Sequence, residues 1–201
     1  MQYACFNMGV AVKADSPFKS FKDLIGYARQ NPKKLTYGTP GVSSMPYLIM
    51  EQIAKKEKVQ FTHIPFKATS ETQMALLGGH VHFGAGDFNY PLLEGGEIRL
   101  LALFREEPAE EYSQTPILKE LGYDLPIPLP HTLGGPKGIP EGIVKKLEDA
   151  YTKAMKEPPF IEGMKDLRVP IRYRNSKELS DYVVYNYNFF EKLIKEMGLR
   201  K

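Results

Sequence analysis

Tryptophan is absent and cysteine occurs once, at Cys5. A lone cysteine excludes an internal disulfide framework and any metal site built from several thiolates, and it leaves the redox compartment open. No run approaches the roughly 20 apolar residues of a membrane-spanning helix, and Met1 to Asn7 lacks the basic region and apolar stretch of an export signal. An exported protein whose signal had been removed would look the same. Charge of one sign is missing too. The 27 basic residues are scattered among 24 acidic ones, for a net charge of +3, without the concentrated basic face that nucleic-acid binding requires. What remains, 42% hydrophobic and 25% charged over 201 residues, describes an ordinary globular chain of one large or two small domains.

The first hundred residues alternate strand and helix. Met8 to Lys13 reads as a strand entered directly from the N-terminus. Ser20 with Asp23 forms a capping box for a helix carrying Leu24, Ile25 and Ala28, which Asn31-Pro32 stops. Leu35 to Thr39 is a short buried strand leading to a helix capped by Ser43 or Ser44, and Gln60 to Pro65 is the next strand. Ser70 with Gln73 gives a second capping box, and Gly78-Gly79 closes that helix. His80 to Gly84 then forms a strand, Asp87 caps a short turn through Leu93, and Ile98 to Phe104 forms the last strand. This order predicts an α/β fold with a mostly parallel sheet covered by helices, whose ligand site lies beyond the carboxyl ends of the strands.

The second half has helices but few strands. A short helix is expected from Thr115-Pro116 to Gly122, then an extended Leu125 to Pro130. A helix begins at Pro140 with Ile143, Val144, Leu147, Ala150, Tyr151 and Ala154 on one face, and Pro158-Pro159 breaks it. After a strand at Ile171 to Tyr173, Ser176 caps a final helix. Its Tyr182, Val183, Tyr185, Phe189, Phe190 and Leu193 form an apolar surface that must cover something, so strands are expected from elsewhere in the full protein or from another chain.

The stretch Thr36 to Tyr47 reads as an anion cradle. Gly38 and Gly41 let the backbone turn tightly and approach a ligand. Most of the expected helices place a carboxylate near their first turn: Asp23, Glu71, Asp87, Glu141, Glu178. The helix after Ser44 has none before Glu51, while Lys55, Lys56 and Lys58 gather at its far end. Free N–H groups at a helix start without an internal carboxylate suit an external anion. A Ser-capped helix with water on its amides is the plainer alternative. Val42 stands where a phosphate loop needs Lys, which argues against nucleotide hydrolysis.

Other constellations are weaker. Ser43, His63 and Asp87 could act as nucleophile, base and orienting acid of a small acyl hydrolase, though Ser43 lacks the Gly-x-Ser-x-Gly elbow. His80 and His82 on one strand face resemble a metal pair, but no third ligand is signalled. Asp87-Phe88-Asn89-Tyr90 reads either as ligand contacts beside the cradle or as a cap followed by core aromatics. The C-terminal aromatic helix could equally make the chain a protein interaction module.

Several segments occur together in an order that matches a known family: Tyr37-Gly38-Thr39-Pro40-Gly41, His63-Ile64-Pro65-Phe66-Lys67, Leu76-Leu77-Gly78-Gly79, Thr115 to Gly122, and Gly135-Pro136-Lys137-Gly138-Ile139-Pro140. From about Met8 onward the chain resembles the extracytoplasmic solute-binding subunits of tripartite tricarboxylate transporters, the Bug receptors. The resemblance implies a two-lobed, type II periplasmic-binding-protein fold that holds an organic carboxylate in a cleft, with no catalysis, cofactor or metal. It assigns the ligand to Thr39, Gly41, Val42, Ser43 and Ser44, with Pro65, Thr69 and Asp87 lining the same cleft. It also implies a periplasmic location and membrane subunits as partners.

Ala68 and His82 depart from the family pattern, where glycine and commonly aspartate stand. Family members also begin with an export signal, a strand, a loop and a helix that this sequence does not contain. One complete lobe is therefore expected at 9–103, with 1–8 and 104–201 forming a partial lobe and the crossing segments. Exposed strand edges would then favour a homodimer or strand exchange.

Overall fold

The computed structural model describes residues 1–108, 110–125, 127 and 130–198. Contacts within the chain divide it into two compact units, Asn7–Ile127 and Met1–Phe6 with Pro128–Lys201.

The larger unit is built on a five-stranded sheet. Its strands are β2 (Met8–Lys13), β3 (Thr36–Thr39), β4 (Thr62–Pro65), β5 (Phe83–Asp87) and β6 (Ile98–Phe104), in the spatial order β4-β3-β5-β2-β6. β3 runs parallel to both β4 and β5, as strand-helix alternation requires. β2 runs antiparallel to β5 and to β6, so four strands share one direction and β2 alone opposes them. The reason lies in connectivity: β2 enters the sheet between two later strands, a long-range pairing that local periodicity does not encode. Val10, Ala11, Val12, Tyr37, Phe83 and Ala85 are completely buried, consistent with a sheet covered on both faces.

Helices α1 (Phe21–Gln30), α2 (Met45–Glu57), α3 (Thr69–Leu77) and α4 (Tyr90–Glu94) belong to this unit. α1 has the expected capping box: Ser20 Oγ accepts the Asp23 N–H at 3.1 Å and Asp23 Oδ2 accepts the Ser20 N–H at 2.9 Å. α2 buries Leu48, Ile49, Met50, Ile53 and Ala54, a wide apolar stripe. Gly38 allows close packing of β3 on its neighbours, because a Cβ there would lie 2.9 Å from the Phe66 ring and 3.1 Å from the Thr72 methyl.

Four local expectations need correction. α3 is N-capped at Ala68 without a side-chain bond, so Ser70 and Gln73 form no capping box. His80 and His82 precede β5 and share no strand face. The N-cap of α4 is Asn89, and Asp87 instead ends β5. Residues 115–122 make turns rather than a helix.

The larger unit runs to Ile127. Leu103 pairs with Ile117 outside β6, burying Ile117 and Leu118. Tyr123 then donates its hydroxyl to Glu57 Oε1 at 2.9 Å, which ties this segment to α2.

The smaller unit contains an antiparallel sheet in the order β7-β1-β8, formed by β1 (Gln2–Cys5), β7 (Pro130–Thr132) and β8 (Ile171–Arg174). The strands that the second half seemed to lack come in part from the chain's own N-terminus, since β1 sits between the other two. Nothing local announces β1, whose four residues have neither a preceding turn nor a cap. The expected extended stretch at 125–130 falls partly outside the described residues.

Helices α5 (Glu141–Ala154), α6 (Pro158–Asp166) and α7 (Ser176–Glu196) complete this unit. The N-cap of α7 is Asn175, in a capping box with Glu178, so Ser176 is the first helical residue rather than the cap. Phe190 and Leu193 of α7 are buried, while Val183, Val184, Tyr185 and Tyr187 are exposed.

Candidate functional site

The cradle is a turn held by one carbonyl. β3 delivers Thr39, fully buried, to Pro40 and then to Gly41, whose φ of 118° is left-handed and suits glycine. The Gly41 carbonyl accepts from Thr39 Oγ1 at 3.0 Å, Ser44 Oγ at 2.8 Å and the Ser44 N–H at 3.3 Å. Ser44 is the N-cap of α2, as expected, but its side chain makes no capping bond; its hydroxyl donates to the Gly41 carbonyl.

The consequence is a set of open donors. The first bond of α2 runs from the Leu48 N–H to the Ser44 carbonyl at 3.1 Å, and Pro46 has no N–H. Backbone N–H groups of Val42, Ser43, Met45 and Tyr47 find no acceptor among the described residues. No acid stands in the first turn of α2, and residues 36–50 contain no charged side chain. α4 and α6 also lack a first-turn acid, so this feature is not confined to α2. α3 differs: its Glu71 carboxylate occupies the helix start by accepting the Lys67 N–H at 3.0 Å. An anion at α2 would meet uncharged amide donors, assisted by the positive end of the helix dipole.

The other expected residues end neighbouring strands. Pro65 lies opposite Thr39 in the parallel register, and the Phe66 N–H donates to the Thr39 carbonyl at 2.9 Å. Thr69 is the first residue of α3. Asp87 closes β5, where the Gln73 amide donates to its carbonyl oxygen at 3.1 Å. Burial pushes the Asp87 carboxyl above its ordinary pKa, and a bond from the Phe88 N–H partly offsets this. Thr39, Pro65 and Asp87 therefore end three adjacent strands at one edge of the sheet, the carboxyl edge of its parallel members. Val42 and Ser43 are exposed.

A hydrolytic relay is not assembled. His63 Nε2 lies 2.7 Å from Thr39 Oγ1, and no hydrogen bond among the described residues joins His63 to Ser43 or to Asp87. Burial lowers the His63 pKa to about 4, which keeps the ring neutral at ordinary pH. His82 is likewise engaged, with Nδ1 2.7 Å from Thr36 Oγ1 and accepting the Thr36 N–H at 3.1 Å. Among the described residues no group of three or more His, Cys, Asp or Glu is placed to hold a metal ion.

Sequence reading missed the roles of His63, Tyr47 and Gln73. The His63 ring lies between Tyr37 and Tyr47, at centroid distances of 4.8 and 4.5 Å, which fixes it beside the cradle. His63 stands opposite Tyr37 in the β3–β4 register, a pairing that the sequence alone does not show.

The family profile described as "Tripartite tricarboxylate transporter family receptor" matches residues 1–199. The chain belongs to this receptor family. The family is one of solute-binding receptors rather than enzymes. The tripartite tricarboxylate receptor chain is 39% identical over 199 residues to a Cupriavidus necator protein described as "UPF0065 protein in gbd 5'region", covering 98% of this chain and 61% of that protein. It thus spans about three-fifths of the length of that curated relative.

Its fold is similar to that of a TctC solute-binding protein from Polaromonas, with a TM-score of 0.83 at 23% identity, covering 97% of this chain and 68% of the other. An R. palustris protein solved with adipate is similar as well, with a TM-score of 0.78, 27% identity, and coverage of 98% and 67%. These likenesses establish the periplasmic-binding-protein architecture expected of a receptor in this family. No helix among the described residues of the receptor chain is long and apolar enough to cross a membrane.

Proposed function

We propose that this chain is the ligand-holding part of an extracytoplasmic receptor, which captures a small organic carboxylate for the membrane subunits of a tripartite tricarboxylate transporter. The observation that carries the reading is the start of α2. Its open amides at Val42, Ser43, Met45 and Tyr47 face no first-turn acid and sit at the carboxyl edge of the parallel strands. In this reading Thr39, Gly41, Val42, Ser43 and Ser44 form the anion cradle, and Pro65, Thr69 and Asp87 line the space beside it. The R. palustris relative solved with adipate supports a dicarboxylate as the ligand class. A periplasmic location follows from the same reading. The homodimer or strand exchange expected from the sequence finds no support in these relatives.

The test is a thermal-unfolding screen of the chain against adipate and shorter and longer dicarboxylates, with phosphate and neutral amides as controls. A ligand at about 100 times its dissociation constant stabilises the folded state by roughly 2.7 kcal/mol. Stabilisation by carboxylates alone supports the proposal. Equal stabilisation by phosphate, or none by any carboxylate in a chain that unfolds cooperatively, contradicts it.

A further inference from the structure

The peptide between Gly41 and Val42 is the most firmly held group of the cradle. Three donors converge on its carbonyl: the Thr39 hydroxyl, the Ser44 hydroxyl and the Ser44 N–H. Among the described residues no peptide bond is cis, and in a trans peptide the C=O and the following N–H point in opposite directions. Drawing the Gly41 carbonyl toward Thr39 and Ser44 therefore turns the Val42 N–H away from them, and Val42 itself is half exposed.

Thr39 Oγ1 has two partners and one hydrogen. The Gly41 carbonyl can only accept, so the hydroxyl hydrogen goes to it. The 2.7 Å contact with His63 Nε2 is then a hydrogen bond only if the ring nitrogen is the donor. This requires the Nε2–H tautomer. The two flanking tyrosines fix the plane of the ring, and Tyr37 is itself anchored by its hydroxyl on Glu51 Oε1 at 2.9 Å. A directed chain results, from His63 Nε2–H to Thr39 Oγ1–H to the Gly41 carbonyl.

We propose that His63, acting through Thr39, is a positioning residue of the cradle: as an Nε2–H donor it orients the Thr39 hydroxyl onto the Gly41 carbonyl and so sets the Val42 N–H toward the bound anion. The proposal rests on the carboxylate-binding reading above. It gives His63 a function without base chemistry and explains how an uncharged cradle keeps its amides aimed before a ligand arrives. Such preorganisation favours affinity because little ordering remains to be done on binding.

The experiment is nitrogen-15 NMR of the full chain, first without ligand and then titrated with adipate. Imidazole nitrogen shifts identify the tautomer, and the Val42 amide reports the peptide's orientation. The expected result is His63 in the Nε2–H form. Thr39→Val and His63→Leu should each displace the Val42 amide signal and weaken adipate binding about tenfold, on the order of one lost hydrogen bond. Thr39→Ser and His63→Gln, which retain a donor, should recover most of both. An Nδ1–H tautomer overturns the proposal, and so does a Thr39→Val protein with an unchanged Val42 amide. If Thr39→Val fails to fold, the wild-type tautomer and the His63→Leu and His63→Gln pair still decide it. A wild-type chain that binds no carboxylate contradicts the proposed function, whereas the tautomer and the amide displacement still decide the positioning role.

Discussion

The Tyr37 hydroxyl donates to Glu51 Oε1 at 2.9 Å, joining the middle of β3 to the second turn of α2 behind the cradle. The Tyr37 ring is completely buried and stacks on Phe83 at 5.1 Å with an interplanar angle of 8°. Burial, reinforced by the Glu51 charge, holds the phenol protonated far above its usual range. Tyr37→Phe keeps the ring packing and removes only the hydroxyl. The loss should be about 1–2 kcal/mol of unfolding free energy, read from urea unfolding with an unchanged slope. An unaltered midpoint would show that Glu51 is satisfied by solvent.

Gly38 is required by close packing. Gly38→Ala places a methyl 2.9 Å from the Phe66 ring and 3.1 Å from the Thr72 methyl. Both neighbours belong to the segments that carry Pro65 and Thr69. The substitution should cost about 1–3 kcal/mol through overpacking. It should also weaken carboxylate binding by shifting the 66–69 turn. Thermal unfolding and adipate titration of the same variant check both parts, and a fully stable variant would contradict the packing argument.

Two titrating groups give opposite pH dependences. His63 is held neutral in the fold, with its pKa lowered from 6.5 to about 4 by burial. Its contribution to stability is therefore complete above the unfolded value and is lost as pH falls toward about 4. Asp87 has a raised pKa, again chiefly from burial. Its contribution is complete below the ordinary carboxyl range and is lost as pH rises through the folded value. Denaturation across this range should show a smaller acid-side loss in His63→Gln. Asp87→Asn should remove the loss that develops as pH rises above the ordinary carboxyl range. Identical pH profiles for wild type and His63→Gln would refute the first assignment.

Helix capping separates real from apparent signals. Ser20→Ala removes a bond to the Asp23 N–H and should cost about 1 kcal/mol. Ser70→Ala removes nothing comparable, because Ala68 caps α3 and Ser70 lies in its first turn. Its effect should stay within about 0.5 kcal/mol. Unfolding midpoints of the two variants measure the contrast directly.

The pattern of success in reading the sequence follows from range. The Ser20–Asp23 box, the strand at Met8–Lys13 and the turn from Thr39 into α2 are local, and three to ten residues suffice to specify each. The Ser70–Gln73 pattern was equally local yet misleading, since Ala68 rather than Ser70 is the N-cap of α3, and the Gln73 side-chain amide donates to the carbonyl of Asp87, fourteen residues away. The reversed direction of β2 and the placement of β1 between β7 and β8 depend on pairings that span much of the chain. Short-range periodicity carries no trace of them. The missing first-turn acid of α2 was legible, although α4 and α6 share it. The Thr39–His63 contact was not, because it forms only when β3 and β4 pair in register.

The most direct test of the anion cradle is an amide-resolved titration of the full chain with adipate. The Val42, Ser43, Met45 and Tyr47 amide protons should move downfield together and saturate with one dissociation constant, as N–H groups do when they acquire a carboxylate acceptor. Saturable binding that leaves these four amides unmoved would place the ligand elsewhere and contradict the account.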